Sequence, residues 1–423
     1  MKIAIVGSGI AGLVAAYRLH PAHEITLYEA GSWIGGHTHT VEVRHQGECQ
    51  WVDTGFIVHN RRNYPRFCAL LDEWGVATQA SDMSFSVRDE ARDFEYCGTS
   101  LNALFAQRRN LLNPSFHRML LDILRFHREA PKLVRAGLPS GSASDETLGR
   151  YLARNGYGHE FIHEYLVPMG SAIWSAEEGT MEKFPIEYFV RFFLNHGLLS
   201  VRDRPQWRVV VGGSIKYVEA ATRPFRDRIR LRSPVDSVRR FEDGAEVTSL
   251  GTTERYDRVV IAAHSDQALA MLADASAAER EVLGAIPYQP NEAVLHTDAS
   301  LLPKRRVAWA SWNYHLGGDR SRPAAVTYLM NKLQSLPDET TYCVTLNRTE
   351  RIDPSKIVET FRYHHPVYTP DTVAAQRRVG EISGVRHTHY CGAYWGFGFH
   401  EDGVNSALRV VDEIAASLRA TSP

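Results

Sequence analysis

Several features of secreted, membrane-spanning and nucleic-acid-binding proteins are scarce or absent in this 423-residue sequence. Its five cysteines are odd in number and include no CxxC pair, which argues against a disulfide framework or a cysteine zinc site and favours a reducing compartment. No run of about 20 uncharged apolar residues, the length needed to cross a bilayer, is present. With a formal net charge of -1, the chain has no overall positive potential to attract nucleic acid. We therefore expect a cytoplasmic protein without a nucleic-acid partner.

The N-terminal residues have the pattern of a folded domain. Ile3 to Val6 form an apolar run typical of a buried strand, and we expect no leader before it. Ala11 to Leu19 have helical periodicity, and Glu24 to Glu29 resemble a second strand, so the chain opens with a βαβ unit. With 44% hydrophobic and 23% charged residues the composition is globular, and the length suffices for two or three domains.

The turn between the first strand and the helix has the spacing of a dinucleotide-binding motif. Gly7, Gly9 and Gly12 form GxGxxG, and Glu29 ends the following strand. In this motif the first glycine makes the tight turn, the second lets a pyrophosphate approach the backbone, and the third lets the helix pack closely on the strand. The free N–H groups of the helix start attract the phosphates. Glu29 is expected to accept hydrogen bonds from the ribose hydroxyls.

The acid also narrows the choice of cofactor. A carboxylate would repel a 2′-phosphate, so NADP is disfavoured, whereas NAD and FAD remain. The glycine pair Gly35 and Gly36 can bring further backbone N–H groups against a phosphate. Near the other end of the chain, Gly392, Gly396 and Gly398 precede a predicted helix start at Glu401 that could face a flavin.

With both ends in view, the sequence resembles the flavin-containing amine oxidase and protoporphyrinogen oxidase superfamily over nearly its whole length. Glu29 to Thr40 is similar to the segment that binds the FAD ribose and pyrophosphate, and Val52 to Phe56 is similar to the DxG stretch near the flavin. Cys391, Gly392 and the run from Glu401 to Val404 resemble the C-terminal motif of the superfamily, in which a helix start contacts the isoalloxazine O2. Together with the glycine turn, the resemblance implies non-covalent FAD held by Gly7, Ser8, Gly9, Ile10, Ala11, Gly12, Glu29, Ala30, Gly35, Gly36, His37, Thr38, Thr54, Gly55, Phe56, Val235, Ala262, Gly392, Ala393, Glu401, Asp402, Gly403 and Val404.

Two positions depart from the superfamily pattern. His37 stands where the superfamily has an arginine after the glycine pair, so the hydrogen bond is retained with less charge. Ala393 replaces the acid of the C-terminal motif, and the contact of that acid would fall to Asp402 or to a nearby hydroxyl.

A narrower resemblance concerns the substrate. The segments 172–175, 192–199, 309–314 and 392–403 are similar to bacterial FAD oxidoreductases related to the N-terminal half of plant cyclopropane fatty acid synthases. This resemblance implies lipid chemistry, in which hydride is removed from a fatty-acyl chain. The alternatives are an amine oxidase acting on a C–N bond, and a redox-neutral isomerase or flavin-binding partner of a lipid methyltransferase.

The chain order predicts an α/β fold, with a Rossmann-like FAD-binding domain and an inserted α+β substrate domain of helices and a mixed sheet. The predicted division is an FAD-binding domain in three parts, a helical insert, and a sheet part of the substrate domain. The FAD-binding parts are 1–75, 206–285 and 361–423, the insert is 76–205, and the sheet part is 286–360.

One motif competes with the flavin interpretation. His159 to His163 spell HExxH, which on a helix can bind zinc, with Glu182 or Glu187 as the nearest downstream third ligand. Because the chain has 19 histidines and a short pattern recurs by chance, we expect no metal. Cys391 raises the question of covalent flavin, but a small buried cysteine on a strand is the better expectation.

For catalysis, positioning over the flavin is expected to matter more than any acid or base. His400 is the titratable group beside the C-terminal motif and is our candidate proton acceptor. The other catalytic candidates are Phe399 and Trp395, and the predicted pocket wall comprises Trp174, Trp312, Tyr394, Trp395, Phe399 and His400.

The stretch from Leu101 to Val134 mixes leucine and phenylalanine with arginine. Such a composition fits either a surface helix pair interrupted at Pro114 or a peripheral contact with the anionic inner face of a membrane, and the first is the simpler expectation. Sequence alone leaves the oligomeric state open.

Overall fold

The computed structural model of the protein describes residues 1–45, 48–135, 146–200, 204–317 and 323–421. The strands in the described residues are, in chain order, β1 Lys2–Val6, β2 Glu24–Tyr28, β3 Thr40–His45, β4 Glu48–Asp53, β5 Val58–His59, β6 Thr78–Ala80, β7 Phe85–Asp89, β8 Phe94–Cys97, β9 Arg208–Val210, β10 Ile229–Arg230, β11 Val235–Phe241, β12 Gly244–Ser249, β13 Thr252–Tyr256, β14 Arg258–Ile261, β15 Tyr288–His296, β16 Trp312–Leu316, β17 Val326–Leu329, β18 Cys343–Leu346, β19 Ile357–Pro366 and β20 Thr388–Tyr390.

The same ranges also contain α-helices, as expected for an α/β protein. They are, in chain order, α1 Ile10–Leu19, α2 Pro65–Glu73, α3 Leu101–Leu104, α4 Pro114–Glu129, α5 Pro131–Arg135, α6 Leu148–Arg154, α7 His159–Phe161, α8 Val167–Trp174, α9 Glu178–Met181, α10 Ile186–Asn195, α11 Ile215–Thr222, α12 Ser265–Met271, α13 Ala277–Gly284, α14 Met330–Gln334, α15 Pro370–Gln376 and α16 His400–Thr421.

A five-stranded parallel sheet organises the cofactor half of the molecule. Its order is β10-β2-β1-β14-β20, and every neighbouring pair is parallel. Strands from the start, the middle and the end of the chain therefore lie side by side. The predicted α/β fold class is confirmed.

The two faces of this sheet bury different layers, as the alternation of side chains along a strand requires. On β1, Ile3 and Ile5 pack into a core with α1, α2 and α16, whereas Ala4 and Val6 pack into a core with β11–β13, α12 and α13. Apolar residues on both faces explain why the strand is a continuous apolar run.

A second, seven-stranded sheet belongs to the other half. Its order is β19-β15-β18-β17-β16-β7-β8, so β7 and β8 from the predicted helical insert pair with strands of the later sheet segment. The largest hydrophobic core joins this sheet to the helices α4 to α10.

The helices and the cysteines can be compared with the expectations of no membrane-spanning segment and no disulfide framework. Among the described residues, none of the helices combines the length and the hydropathy needed to span a membrane. All five cysteines are free, and Cys391 is fully buried on the chain segment that follows β20.

Candidate functional site

The glycine turn after β1 has three different steric environments. A Cβ atom on Gly7 would lie 2.7 Å from the carbonyl oxygen of Ala262, and one on Gly12 would lie 1.9 Å from the carbonyl oxygen of Gly7. A Cβ atom on Gly9 would meet no heavy atom of the described chain within 4 Å, apart from its immediate neighbours. The outer glycines therefore close the turn, and the middle one leaves the backbone open to a ligand.

Glu29 is tied to this turn from the end of β2. Its carboxylate accepts hydrogen bonds from the Ser8 backbone N–H at 3.0 Å, from the Ser8 hydroxyl, and from the Gly31 N–H at 2.6 Å. The Gly35 N–H in turn donates to Ser8 Oγ at 3.1 Å. The second glycine pair is thus fastened to the first turn through one serine.

These residues fit a dinucleotide. Helix α1 begins at the turn with Gly9 as its N-cap, without a side-chain cap and without an acidic residue in its first turn. Its N–H groups and the positive end of its dipole can therefore serve a pyrophosphate beside the open face of Gly9. Glu29 would bind the ribose, although two of its partners are already backbone groups.

The remaining predicted contacts of this half surround the turn. The Arg232 and Ser233 N–H groups donate to the carbonyls of Gly31 and Glu29 at 2.9 and 2.8 Å, which brings the start of β11 at Val235 beside the acid. Ala262 follows β14 and packs on Gly7, while Ala30 is exposed next to Glu29.

A buried polar cluster joins the start of the chain to its C-terminal helix. His400 Nε2 lies 3.0 Å from Thr38 Oγ1 and 2.9 Å from the Tyr217 hydroxyl, and its ring stacks on Phe56 at 3.4 Å. Burial, with the nearby imidazoles of His37 and His59, holds the pKa of His400 well below its ordinary value. The ring is neutral and fixed; its role as proton acceptor stays a prediction.

The neighbouring DxG stretch holds a buried carboxylate. Asp53 accepts hydrogen bonds from the Ser214 N–H at 2.9 Å, from the Thr40 hydroxyl at 2.5 Å and from Gln334 Nε2 at 3.1 Å. Burial raises the pKa of Asp53 to about 7, against the opposing effect of these donors. Asp53 thereby joins β4 to α11 and α14. Thr54 next to it hydrogen-bonds the Tyr363 hydroxyl at 2.7 Å, and Gly55 approaches the His37 carbonyl so closely that a Cβ would lie 2.0 Å from its oxygen.

The acids of the C-terminal motif bind backbone rather than each other. Glu401 accepts hydrogen bonds from the N–H groups of Arg66 and Phe67 at the start of α2, at 3.1 and 2.9 Å. Asp402 accepts one from the Phe399 N–H at 3.0 Å, and burial raises its pKa to about 7. Asp402 therefore stabilises the loop before α16, and its predicted replacement of the missing acid at Ala393 stays a prediction.

Helix α16 is brought to the glycine turn by close packing. A Cβ on Gly403 would lie 2.7 Å from the Ile10 side chain, and Val404 is fully buried in the same core as α1. The Gly392 N–H donates to Ser406 Oγ at 2.9 Å, which fixes the loop to the helix. The predicted proximity of the two motifs follows from these contacts.

His37 lies in a group of imidazoles on the same side of the site. Its Nε2 is 3.1 Å from the His364 carbonyl oxygen, and its ring lies 5.7 Å from that of His264 and 5.4 Å from that of His365. Burial lowers the pKa of His37 to about 4. The position where the superfamily has an arginine is therefore uncharged in this chain.

The substitution His37→Arg is expected to tighten FAD binding about tenfold, because a guanidinium adds a charge-assisted hydrogen bond to a phosphate. Titration of the flavin-free protein with FAD, followed by flavin fluorescence, measures the change. His117→Arg, which adds the same charge on the exposed side of α4, is the control and should leave the affinity unchanged. Equal affinity of wild type and His37→Arg would contradict a phosphate contact at this position.

Aromatic side chains meet where the C-terminal motif packs on the helical insert. We call them the aromatic wall and define it as Trp174, Tyr188, Phe192, His196, Phe397 and Phe399. Phe192 stacks on Phe399 at 5.0 Å and on His196 at 3.8 Å, and lies 4.6 Å from Trp174. Tyr188 donates a hydrogen bond to the Gly396 carbonyl at 2.8 Å. Burial lowers the pKa of His196 to about 4, so the wall carries no formal charge at neutral pH.

The predicted pocket residues are only partly together. Trp174 and Phe399 meet in the aromatic wall, whereas Trp312 packs on Tyr328 in the seven-stranded sheet. Tyr394 is buried in the core that contains β11–β13, and Trp395 packs against it at 4.9 Å. The catalytic roles of Phe399 and Trp395 stay predictions.

Sequence reasoning missed Tyr217 and the aromatic face of α10. Phe189, Phe192, Phe193 and His196 recur at helical spacing, which is a readable signal for one aromatic stripe. Tyr217 carries no such signal, because only the fold brings it to Thr38 and His400.

The HExxH segment forms α7 and an ensuing π-helical turn, Ile162–Leu166. The rings of His159 and His163 lie 4.6 Å apart. Within the described residues, no group of three His, Cys, Asp or Glu side chains is placed to hold a metal ion.

Solved structures share this fold over nearly the whole chain. Cyclohexylamine oxidase from Brevibacterium oxydans IH-35A has a TM-score of 0.72 at 16% identity, with 99% of each chain covered. A CLA-producing fatty acid isomerase from P. acnes has a TM-score of 0.69 at 16% identity, with 98% of each chain covered. At such identities the likeness concerns the fold alone.

A relative by sequence is an L-amino-acid oxidase from Siganus canaliculatus, which is 24% identical over 310 residues. The match covers 70% of this chain and 57% of the relative, so the chain spans little more than half the length of that protein.

The parallel sheet, the glycine turn and the acid after β2 define a dinucleotide-binding protein of the Rossmann-like class. The model of the family "Flavin containing amine oxidoreductase" matches residues 10–415. The chain therefore belongs to the flavin-containing amine oxidoreductase family. The predicted superfamily and FAD cofactor are confirmed, and the narrower resemblance to relatives of the cyclopropane fatty acid synthases stays a prediction.

Proposed function

We propose that this protein is an FAD-dependent oxidoreductase that dehydrogenates a fatty-acyl or related lipid chain. The observation that carries the proposal is the aromatic wall, because its rings join the helical insert to the C-terminal motif without a formal charge. An apolar chain is the substrate that such a surface binds best. The shared fold with a protein described as a CLA-producing fatty acid isomerase supports the same substrate class.

The residues of this chain would act by binding and orientation. A bound flavin accepts hydride from a substrate carbon. The aromatic wall would hold an acyl chain and keep water from it, while the N-terminal end of α16 would favour negative charge in front of it. Glu401 and Asp402 in the first turn of α16 accept hydrogen bonds from backbone N–H groups of α2 and of the loop before α16.

Amine oxidation is the second candidate, and the family model together with the L-amino-acid oxidase relative favours it. A redox-neutral isomerase and a flavin-binding partner of a lipid methyltransferase are further alternatives. The reactions differ in their products. Dehydrogenation removes two hydrogens from an acyl chain, isomerisation leaves the acyl mass unchanged, and amine oxidation yields an imine.

The test is anaerobic mixing of the FAD-loaded protein with one substrate class at a time. Phospholipids with unsaturated or methylated acyl chains are expected to bleach the flavin absorbance, and mass spectrometry should find acyl chains lighter by two hydrogens. Bleaching by amines or amino acids, with no effect of any lipid, would refute the proposal. A shifted double bond without bleaching would assign the isomerase.

Phe399→Ala is expected to slow flavin reduction by an acyl substrate about tenfold, because it removes a ring that stacks on Phe192. FAD content should not change. Phe399→Leu, which keeps most of the apolar volume, should restore most of the rate. Phe241→Ala, at the exposed last residue of β11, is the remote control. A reduction rate for Phe399→Ala equal to that of wild type would remove this ring from the substrate site.

A further inference from the structure

Exposed leucines are concentrated in one part of the helical insert, and we call Leu101, Leu111, Leu112, Leu121 and Leu124 the leucine face. Their exposed fractions are 77%, 49%, 89%, 67% and 56%. Single exposed leucines are ordinary on protein surfaces, but several within one short stretch mark a contact surface. The leucine face therefore requires an explanation that core packing does not provide.

Two of these leucines, Leu121 and Leu124, lie on the exposed side of helix α4, where the other exposed residues are mostly polar or basic. Its inner side buries Phe116, Met119 and Phe126 in the main core. Leu121 and Leu124 lie on the outer side, at a helical spacing that places them in one stripe with His117 and Arg128. The inner side of α4 therefore packs on the protein core, and its exposed leucines are available to a second surface.

The surroundings of the leucine face are positively charged. Residues 101–135 contain seven basic and two acidic residues, a net charge of +5, whereas the whole chain has a net charge of -1. Of the two acids, Asp122 is buried and accepts a hydrogen bond from the Gly158 N–H, and Glu129 pairs with Arg125 at 3.0 Å. Arg108 and Arg109 are exposed in the same stretch, and Arg109 pairs with Asp93, which lies outside it, at 3.6 Å.

Leucines flanked by arginines match the interface of an anionic bilayer. Apolar side chains enter the boundary between headgroups and acyl chains, and each nearby Arg or Lys adds attraction to anionic lipid. A protein partner would more commonly bury aromatic anchors in a complementary surface. The positive charge around the leucine face therefore favours an anionic lipid surface over a protein partner.

A cavity lies at one end of this surface, and helix α10 separates it from the aromatic wall. It has a volume of about 300 Å³ and lies where α4 ends, lined by His127, Arg128, Pro131, Leu194, Gly197, Leu199 and Ser200. Helix α10 forms the partition, because its Leu194 lines the cavity while its Phe192 stacks on Phe399. The outer stripe of α4 ends at the mouth of this cavity, at Arg128.

We infer that the leucine face docks the protein on anionic phospholipid membranes, with the cavity at the end of α4 directed toward the lipid. The inference concerns binding and does not depend on which substrate is oxidised. Its failure and that of the acyl proposal are therefore separable.

The experiment is co-sedimentation of the FAD-loaded protein with vesicles of phosphatidylcholine, with or without phosphatidylglycerol. Wild type is expected to bind the anionic vesicles and to be released by salt. The triple variant Leu112→Ser, Leu121→Ser, Leu124→Ser and the double variant Arg108→Glu, Arg109→Glu should each bind about tenfold more weakly. Flavin absorbance and circular dichroism verify that the variants are folded.

Matched controls change the same residue types elsewhere. Leu250→Ser, on the exposed turn after β12, and Arg239→Glu, on β11, should bind vesicles like wild type. Absence of wild-type binding to anionic vesicles, or equal binding by the triple variant, overturns the inference. It is also overturned if wild type ignores vesicles and the triple variant only dissociates an oligomer in sedimentation velocity, because a second copy would then cover the face.

Discussion

Glu29→Ala is expected to yield a protein that is purified almost without flavin, with an affinity for FAD about 100-fold below that of wild type. The carboxylate has two tasks at once. It is the acid at the end of β2 that would accept the ribose hydroxyls, and it holds Ser8 and Gly31 through three hydrogen bonds. Flavin content by absorbance and FAD titration of the flavin-free protein measure the loss.

Two variants separate these tasks. Glu29→Gln keeps an acceptor for the Gly31 N–H but loses the charge, so its affinity should lie between those of wild type and Glu29→Ala. Glu24→Ala removes an exposed acid at the start of the same strand and should bind FAD normally. Wild-type flavin content in Glu29→Ala would contradict the assignment of the ribose site.

Asp53→Ala is expected to lower the free energy of unfolding by about 4 kcal/mol. The substitution leaves donors of Ser214, Thr40 and Gln334 buried without their acceptor, at the point where β4 meets α11 and α14. Urea denaturation followed by circular dichroism measures the change. Asp72→Ala, which breaks an exposed ion pair with Arg61, should cost at most about 1 kcal/mol.

The same carboxyl group predicts a dependence of stability on pH. Because the folded pKa of Asp53 is raised to about 7 from an ordinary value of 3.8, the folded protein holds this proton more tightly than the unfolded chain. The stability of wild type relative to Asp53→Asn should therefore be greatest below about pH 4, decline as the pH rises to about 7, and stay constant above it. A relative stability that rises with pH would show that the hydrogen-bond donors outweigh burial.

The cofactor half could be predicted from sequence because its signals are local. Gly7, Gly9 and Gly12 occupy a turn whose steric demands depend on the backbone around them, and the structure meets each demand at the predicted glycine. Glu29 follows from its place at the end of a strand. The C-terminal motif was predictable only through the family resemblance, since Gly403 meets Ile10 by packing across the fold.

The substrate side was less predictable because its contacts join distant segments. His400 stands beside the motif in sequence, but its contacts Thr38, Phe56 and Tyr217 come from three other segments of the chain. Burial among such segments keeps its ring neutral. Residue type placed Trp312 and Tyr394 in one predicted pocket with Phe399, whereas Trp312 packs on Tyr328 in the seven-stranded sheet and Tyr394, in a 3-10 turn, enters a different core. Ring type alone does not indicate which core a ring enters.

The order of strands in the parallel sheet has a consequence for synthesis of the protein on the ribosome. β1 is translated before its neighbours β14 and β20 and before helix α16, which come from residues 258–261, 388–390 and 400–421. Contacts so distant in sequence make folding slow, because the intervening chain must be ordered first. In a nascent chain whose α16 has not yet been synthesised, the glycine turn lacks the helix that packs on it. We therefore expect FAD to bind tightly only after α16 has been translated and has packed on the turn.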